Sequence, residues 1–356
     1  MREWEKYIRQ VEPYVPGEQP AGENLIKLNT NENPYPPSPK VTEALRNMDP
    51  DTFRRYPDPA SSVLTEALAA RYGLSPSQVF VGVGSDDVLA MAFMTFFHSE
   101  RPILFPDITY SFYPVWAGLF GVPYETVPLD EAFRIRPEDY CRENGGIIFP
   151  NPNAPTGLEL PFDQVEEIIK SNPDSLVIVD EAYVDFGGTS VLPLLDKYEN
   201  LLVVQTFSKS RSMAGMRIGC AFGSRKLISA MENVKYSFNS YTMNQAALTL
   251  GAAAVEDETY FQETLARIIR TREETKAWLR KLGFSFPDSK ANFLFASHER
   301  VDAEALYEAL KKEKIYVRYF KKPVLDRYLR ITIGTDEEMA ALRRFLERYL
   351  AGLDDV

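Results

Sequence analysis

Lys209 stands in the run Thr206-Phe207-Ser208-Lys209-Ser210-Arg211-Ser212-Met213-Ala214-Gly215-Met216-Arg217-Ile218-Gly219. The apolar stretch before it, Leu201-Leu202-Val203-Val204, reads as a buried strand. The lysine therefore falls just past a strand's carboxyl end, where open α/β sheets hold their ligands. Hydroxyls at Thr206 and Ser208, the amine, and Arg217 eight positions beyond it could hold a phosphate monoester while the amine attacks a neighbouring aldehyde. That chemistry is Schiff-base formation, which needs a lysine deprived of water or set beside other cations. The alternative is an ordinary solvated lysine, so the reading must be tested on the rest of the chain.

A second group of candidates lies upstream. Val79-Phe80-Val81 reads as a strand entering Gly82-Val83-Gly84-Ser85-Asp86-Asp87, and Val88 to Phe97 continues as an apolar helix. Such a junction presents free backbone N–H groups and a helix dipole to an anion. A dinucleotide fingerprint would want a third glycine where Asp87 stands, so one phosphate fits better than a pyrophosphate. Asp86 and Asp87 must then point away from the anion or act as caps. Asp180 ends the strand Leu176-Val177-Ile178-Val179, where a carboxylate could neutralise a protonated ring nitrogen or simply cap a helix. Tyr183 follows three residues later. Tyr110 opens an aromatic-rich helix and could stack on a flat ligand.

The elements that must position these groups alternate. Strands at 102–106, 124–127, 146–149 and 176–179, separated by helices such as Phe162 to Ser171, indicate a mainly parallel, doubly wound sheet. The polar, proline-dense loop Asn29 to Pro39 has no core of its own and reads as a spacer. After Gly219 the rhythm changes. A long amphipathic helix at Thr259 to Leu282 suits a bridge between lobes. Strands at 292–295, 315–320 and 328–334 with helices at 303–312 and 337–350 make a smaller α+β lobe. The expected organisation is an arm at 1–30 packing with the small domain, a large ligand-binding domain at 31–244 and a small C-terminal domain at 245–356, with the changeover between 240 and 256.

The 356 residues carry a formal charge of −11, with pI near 5.0. That argues against nucleic acid or an anionic membrane as partner, because both need a basic face. Cys141 and Cys220 make no disulfide framework, and His98 and His298 have no metal-ligand spacing, so no metal is expected. Neither an apolar leader nor a stretch of membrane-spanning length is present, which places the protein in the cytoplasm.

Four motifs in order, Asn151-Pro152-Asn153-Ala154-Pro155-Thr156-Gly157, Asp180-Glu181-Ala182-Tyr183, Ser208-Lys209 with Arg217, and Leu329-Arg330-Ile331-Thr332, resemble the class I and II aminotransferases of fold-type I. Tyr14 with Pro16-Gly17, Asn31-Glu32-Asn33-Pro34-Tyr35, Arg55-Tyr56-Pro57 and Val317-Arg318-Tyr319-Phe320 narrow the resemblance to the histidinol-phosphate aminotransferases, from about Tyr14 to the C-terminus. The resemblance implies pyridoxal 5'-phosphate as cofactor, held on Lys209 as a Schiff base. It implies that Asp180 pairs with the ring nitrogen, Tyr183 reaches the phenolic oxygen, and Tyr110 stacks on the ring. The phosphate would lie against the backbone of Ser85 and Asp86, with Ser208, Arg217 and, from the other subunit of a homodimer, Tyr56. Arg330, helped by Arg318 and Tyr14, would receive the substrate's anionic group.

One position departs from that pattern. Ala154 stands where the family usually has an asparagine bonded to the phenolic oxygen. Either Asn153 takes over or Tyr183 holds the oxygen without an amide partner. A phosphate monoester carries close to two negative charges, so two guanidinium forks suit it better than one. The implied reaction moves an amino group between L-histidinol phosphate or imidazole acetol phosphate and 2-oxoglutarate or L-glutamate, in histidine biosynthesis. The rivals are an aromatic amino acid aminotransferase, a threonine-phosphate decarboxylase on the same scaffold, a pyridoxal-binding regulator and a plain nucleotide-binding α/β protein.

Overall fold

The computed structural model describes residues 1–354. In chain order the first lobe runs β1 (Ile26–Lys27), α1 (Pro39–Arg46), α2 (Ser62–Tyr72), β2 (Val79–Gly82), α3 (Ser85–Phe96), β3 (Ile103–Pro106), α4 (Tyr113–Phe120), β4 (Tyr124–Val127), β5 (Ile147–Pro150), α5 (Phe162–Ser171), β6 (Val177–Asp180), β7 (Leu201–Thr206), β8 (Gly219–Gly223), α6 (Arg225–Phe238) and α7 (Gln245–Glu256). Strands β2 to β8 form one seven-stranded sheet in the order β2-β8-β7-β6-β5-β3-β4. All neighbouring pairs are parallel except those that β8 makes with β2 and β7.

The near-continuous apolar strands follow from burial on both faces. In β6, Val177 and Val179 enter one core with residues of α2, α5 and α7, while Ile178 enters the other with residues of α3, α4 and α6. Leu201 and Val203 of β7 repeat the first pattern, and Leu202 and Val204 the second. Each such Val, Ile or Leu stabilises the fold by about 1.5–3 kcal/mol. The sheet is thereby rigid where the site residues leave it.

The second lobe contains α8 (Glu258–Lys281), β9 (Phe284–Ser285), β10 (Phe293–His298), α9 (Ala303–Lys312), β11 (Ile315–Tyr316), β12 (Arg318–Tyr319), β13 (Leu329–Thr332) and α10 (Asp336–Asp354). Its four-stranded sheet runs β12-β13-β10-β9, and β11 instead pairs in parallel with β1 near the start of the chain. The expected strand at 315–320 is thus two short strands serving two sheets. The small-lobe core includes Leu28, Tyr35, Ala154 and Tyr183 from outside the lobe. Tyr183 therefore sits where the two cores meet.

Three elements were not legible beforehand. Strand β8 is a short glycine-bounded stretch with Cys220, Ala221 and Phe222 between the glycines, and α6 and α7 lie in the stretch where the strand–helix rhythm lapses. Helix α7 packs on α1 and α2 and buries Ala247, Leu248 and Leu250 in the large-sheet core. Apolar residues of α7 lie in the large-sheet core, and those of α8 lie in the small-lobe core. The arm contacts both lobes. The Arg9 guanidinium donates to the Leu119 carbonyl and Tyr14 stacks on Phe112, while Glu18 pairs with Lys311 of α9.

Candidate active site

Register brings the chemistry to one edge. Pro150 of β5, Asp180 of β6 and Val204 of β7 lie side by side, and Lys209 follows three residues after β7 ends. The lysine is largely buried, and its Nζ donates to the Thr30 carbonyl at 3.1 Å. Removal from water, reinforced by the positive charge of Arg330, lowers its pKa to about 8. A sizeable fraction of the amine is therefore neutral near pH 8.

The Asp180 carboxyl is buried, accepting from the Tyr113 hydroxyl at 3.0 Å and from the Ala182 N–H. Burial raises its pKa to about 6, and no cation in the chain pairs with it among the described residues. A protonated ring nitrogen would supply the missing charge. Tyr113, at the start of α4, went unnoticed in the sequence because it stands among other aromatics.

The expected strand–glycine–helix junction is present, with two differences. Helix α3 begins at Ser85, three residues earlier than predicted, so Ser85 and Asp86 occupy its first turn, which has no side-chain cap. Gly84 has φ +88°, and a Cβ there would lie 2.4 Å from the Arg217 guanidinium. Arg217 also reaches Ser208 Oγ at 3.4 Å. Asp87 turns away and caps the junction, accepting from the Val83 N–H at 2.9 Å. Asp86 neither turns away nor caps. Its carboxylate accepts from Arg217 at 3.2 Å and from the Tyr110 hydroxyl at 2.8 Å, holding both side chains at the cradle. Tyr110 in turn lies edge-on to Tyr113 and 6.5 Å from Tyr14.

Arg318 and Arg330 are direct partners across β12 and β13. Like charges so placed repel, and among the described residues neither forms an ion pair. Arg330 donates to the Asn29 carbonyl at 3.0 Å, and its Nε is buried without a partner among the described residues. Burial, with Arg318 as a further contributor, depresses its pKa. An anion would satisfy this pair.

The loop read as a spacer is part of the site. Asn33 donates to the carbonyls of Lys209 and Ser210, and Asn31 Nδ2 donates to the Tyr183 hydroxyl at 2.9 Å. Asn153, the amide in one of the two arrangements expected around Ala154, already has its side chain engaged within the protein. Both donors of Asn153 are committed to the Ile108 carbonyl and to Thr156, and its oxygen accepts from Thr109. The Tyr183 hydroxyl itself accepts from an amide the motif did not point to, that of Asn31. Asparagine in the left-handed region, φ +57°, is the one local signal that could have flagged it. Tyr56 lies apart, 82% exposed, stacked on Tyr241 at 4.6 Å.

A lysine of lowered pKa, a buried carboxyl awaiting a cation, a glycine-lined anion cradle and an arginine couple without an ion-pair partner among the described residues fit pyridoxal 5'-phosphate and an anionic substrate. The family model for class I and II aminotransferases matches residues 23–346, and the chain belongs to that family. Within it the similarity runs to the histidinol-phosphate aminotransferases. Histidinol-phosphate aminotransferase 2 of Dechloromonas aromatica is 55% identical over 96% of this chain and 97% of the relative. The histidinol-phosphate aminotransferase of Lactococcus lactis subsp. cremoris is 50% identical over 98% of each. The architecture is that of fold-type I. The crystal structure of a histidinol-phosphate aminotransferase from Sinorhizobium meliloti in complex with pyridoxal-5'-phosphate superposes with TM-score 0.83 at 24% identity, covering 92% of this chain and 91% of that one.

Proposed function

We propose that the chain is a pyridoxal-phosphate-dependent aminotransferase that moves an amino group between L-histidinol phosphate or imidazole acetol phosphate and 2-oxoglutarate or L-glutamate, in histidine biosynthesis. The observation that carries the substrate class is the Arg318–Arg330 couple, in register and free of carboxylates among the described residues. It suits the two charges of a phosphate monoester, and Arg330 alone suits the carboxylate of glutamate.

When bound, the cofactor supplies the electron sink that lets a bond at the substrate's Cα break. Lys209 holds it and, once freed by substrate, takes the Cα proton on Nζ, for which a pKa near 8 is well matched. The Asp180 carboxylate keeps the ring nitrogen protonated and the Tyr183 hydroxyl donates to the phenolic oxygen. Tyr110 covers the ring, Tyr14 borders the substrate, and Asn153 braces the segment before Tyr110. Ser208, Arg217 and the backbone of Ser85 and Asp86 hold the phosphate. A homodimer belongs to the same reading. Tyr56 and Tyr241 form an exposed stacked pair, with exposed Phe238 three residues before Tyr241 in the chain, and Tyr56 would reach the phosphate of the other subunit. Among the described residues no helix is long and apolar enough to cross a membrane; a cytoplasmic setting goes with a biosynthetic role.

The test is stopped-flow mixing of the holoenzyme with L-histidinol phosphate, L-phenylalanine, threonine phosphate and L-glutamate in turn. Bleaching of the cofactor's yellow band is expected with histidinol phosphate and glutamate, and far more slowly with phenylalanine. A preference for phenylalanine would move the function to aromatic amino acids. Lys209→Ala is expected to lose both the yellow band and turnover.

A further inference from the structure

Asn31 is 1% exposed and has all its polar groups engaged. Its N–H donates to Thr332 Oγ1 at 3.0 Å, and its carbonyl accepts from Asn292 Nδ2 at 2.9 Å. The Thr332 hydroxyl donates back to Asn31 Oδ1 at 3.0 Å. That last bond orients the amide, leaving Nδ2 to face Tyr183 at 2.9 Å. An amide nitrogen only donates. The Tyr183 oxygen therefore accepts from Asn31 and keeps its own proton for another group, and among the described residues no acceptor takes that proton. Tyr183 is otherwise held by apolar packing, edge-on to Phe293 at 5.1 Å, with the Lys209 amine 5.9 Å from its ring. Ala154, in the position where an amide was expected, packs in the same apolar cluster and offers Tyr183 no hydrogen bond.

We infer that Asn31 is a positioning residue for the reaction: by donating to Tyr183 it directs the tyrosine proton toward the cofactor's phenolic oxygen, in place of the amide that Ala154 lacks. The inference rests on the aminotransferase reading and on Tyr183 facing that oxygen. It also links the lobes, because Asn31 is fastened to β13 through Thr332 and to the segment before β10 through Asn292. The small lobe, which carries Arg330, thereby sets the aim of a large-lobe tyrosine.

The readout is the pH titration of the bound cofactor's absorbance, which follows the proton beside the phenolic oxygen. Donation from Tyr183 stabilises the deprotonated oxygen, so losing it raises the midpoint. Asn31→Gly removes the side chain while tolerating the left-handed backbone and is expected to raise the midpoint by about one pKa unit. Asn31→Asp keeps the shape but accepts the tyrosine proton, and should raise the midpoint at least as far. Tyr183→Phe should raise it too, and adding Asn31→Gly to that variant should move it no further. If Tyr183→Phe shifts the midpoint and Asn31→Gly does not, or if the two shifts add, Asn31 is merely a loop support and the inference falls. If Tyr183→Phe shifts nothing, the role of Tyr183 itself falls and the inference with it. Neither result bears on substrate preference, which the stopped-flow experiment decides separately.

Discussion

A lysine becomes a nucleophile in proportion to the fraction left uncharged. Lys209 is lowered to about 8 by loss of water and by Arg330, so the neutral fraction falls about tenfold for each unit below that value. Uptake of pyridoxal 5'-phosphate by the cofactor-free protein should accelerate from pH 6 to 8 and level off above about pH 9; rapid-mixing absorbance measures it. Arg330 is the residue whose loss should hurt most in substrate binding, since its Nε has no partner among the described residues. Arg330→Ala is expected to cut kcat/KM for histidinol phosphate by about 100-fold or more, the worth of a charge-assisted contact. Arg330→Lys should recover only part of it, because an ammonium is not a fork. A steady-state comparison in which both variants match the wild type would remove Arg330 from the site.

At the scale of elements, the cradle depends on how closely β8 approaches the start of α3. A Cβ on Gly219 would lie 2.3 Å from the Gly84 carbonyl carbon and the Ser85 nitrogen. Those atoms are backbone and cannot swing aside. Gly219→Ala should therefore destabilise the protein by about 1–3 kcal/mol and weaken cofactor binding, because relief must come from moving the first turn of α3. Gly215, with nothing within 4 Å of its Cβ position, is the control, and Gly215→Ala should stay within about 0.5 kcal/mol of the wild type. Denaturant melts and cofactor titrations of the two variants check both statements. The strand-to-helix order around this cradle was readable because a continuous apolar run, a glycine pair and helical spacing are all local patterns. Strand β8 was not, since three residues between two glycines are too few to show a periodicity of their own.

For the whole molecule, the exposed aromatic group beside Tyr56 bears on assembly. Tyr56 and Tyr241 stack while 82% and 44% exposed, and Phe238, 70% exposed, stands three residues before Tyr241 in the chain; single apolar residues on a surface are ordinary, whereas exposed rings stacked together call for a partner. Phe238→Arg is expected to convert a dimer of 40.5 kDa chains into monomers by light scattering, with loss of activity if Tyr56 completes the neighbouring site. An active wild-type monomer would end that reading.

What the amino-acid sequence determined by itself was the order of elements and the identity of the residues at strand ends. Lys209, Asp180 and the Gly84–Asp86 junction could be singled out because their neighbours along the chain define a strand, a turn or a helix start. Tertiary structure decided what those residues touch. The bond from Asn31 to Tyr183 spans 152 positions and that from Asn31 to Thr332 spans 301, while Tyr113 reaches Asp180 across 67. A polar loop without periodicity looks like a spacer in one dimension, because its hydrogen bonds run to partners that only folding of the two lobes brings near. The Arg318–Arg330 pairing has the same origin: each arginine is ordinary in its own strand, and antiparallel register sets them side by side, as the proposed anion site requires.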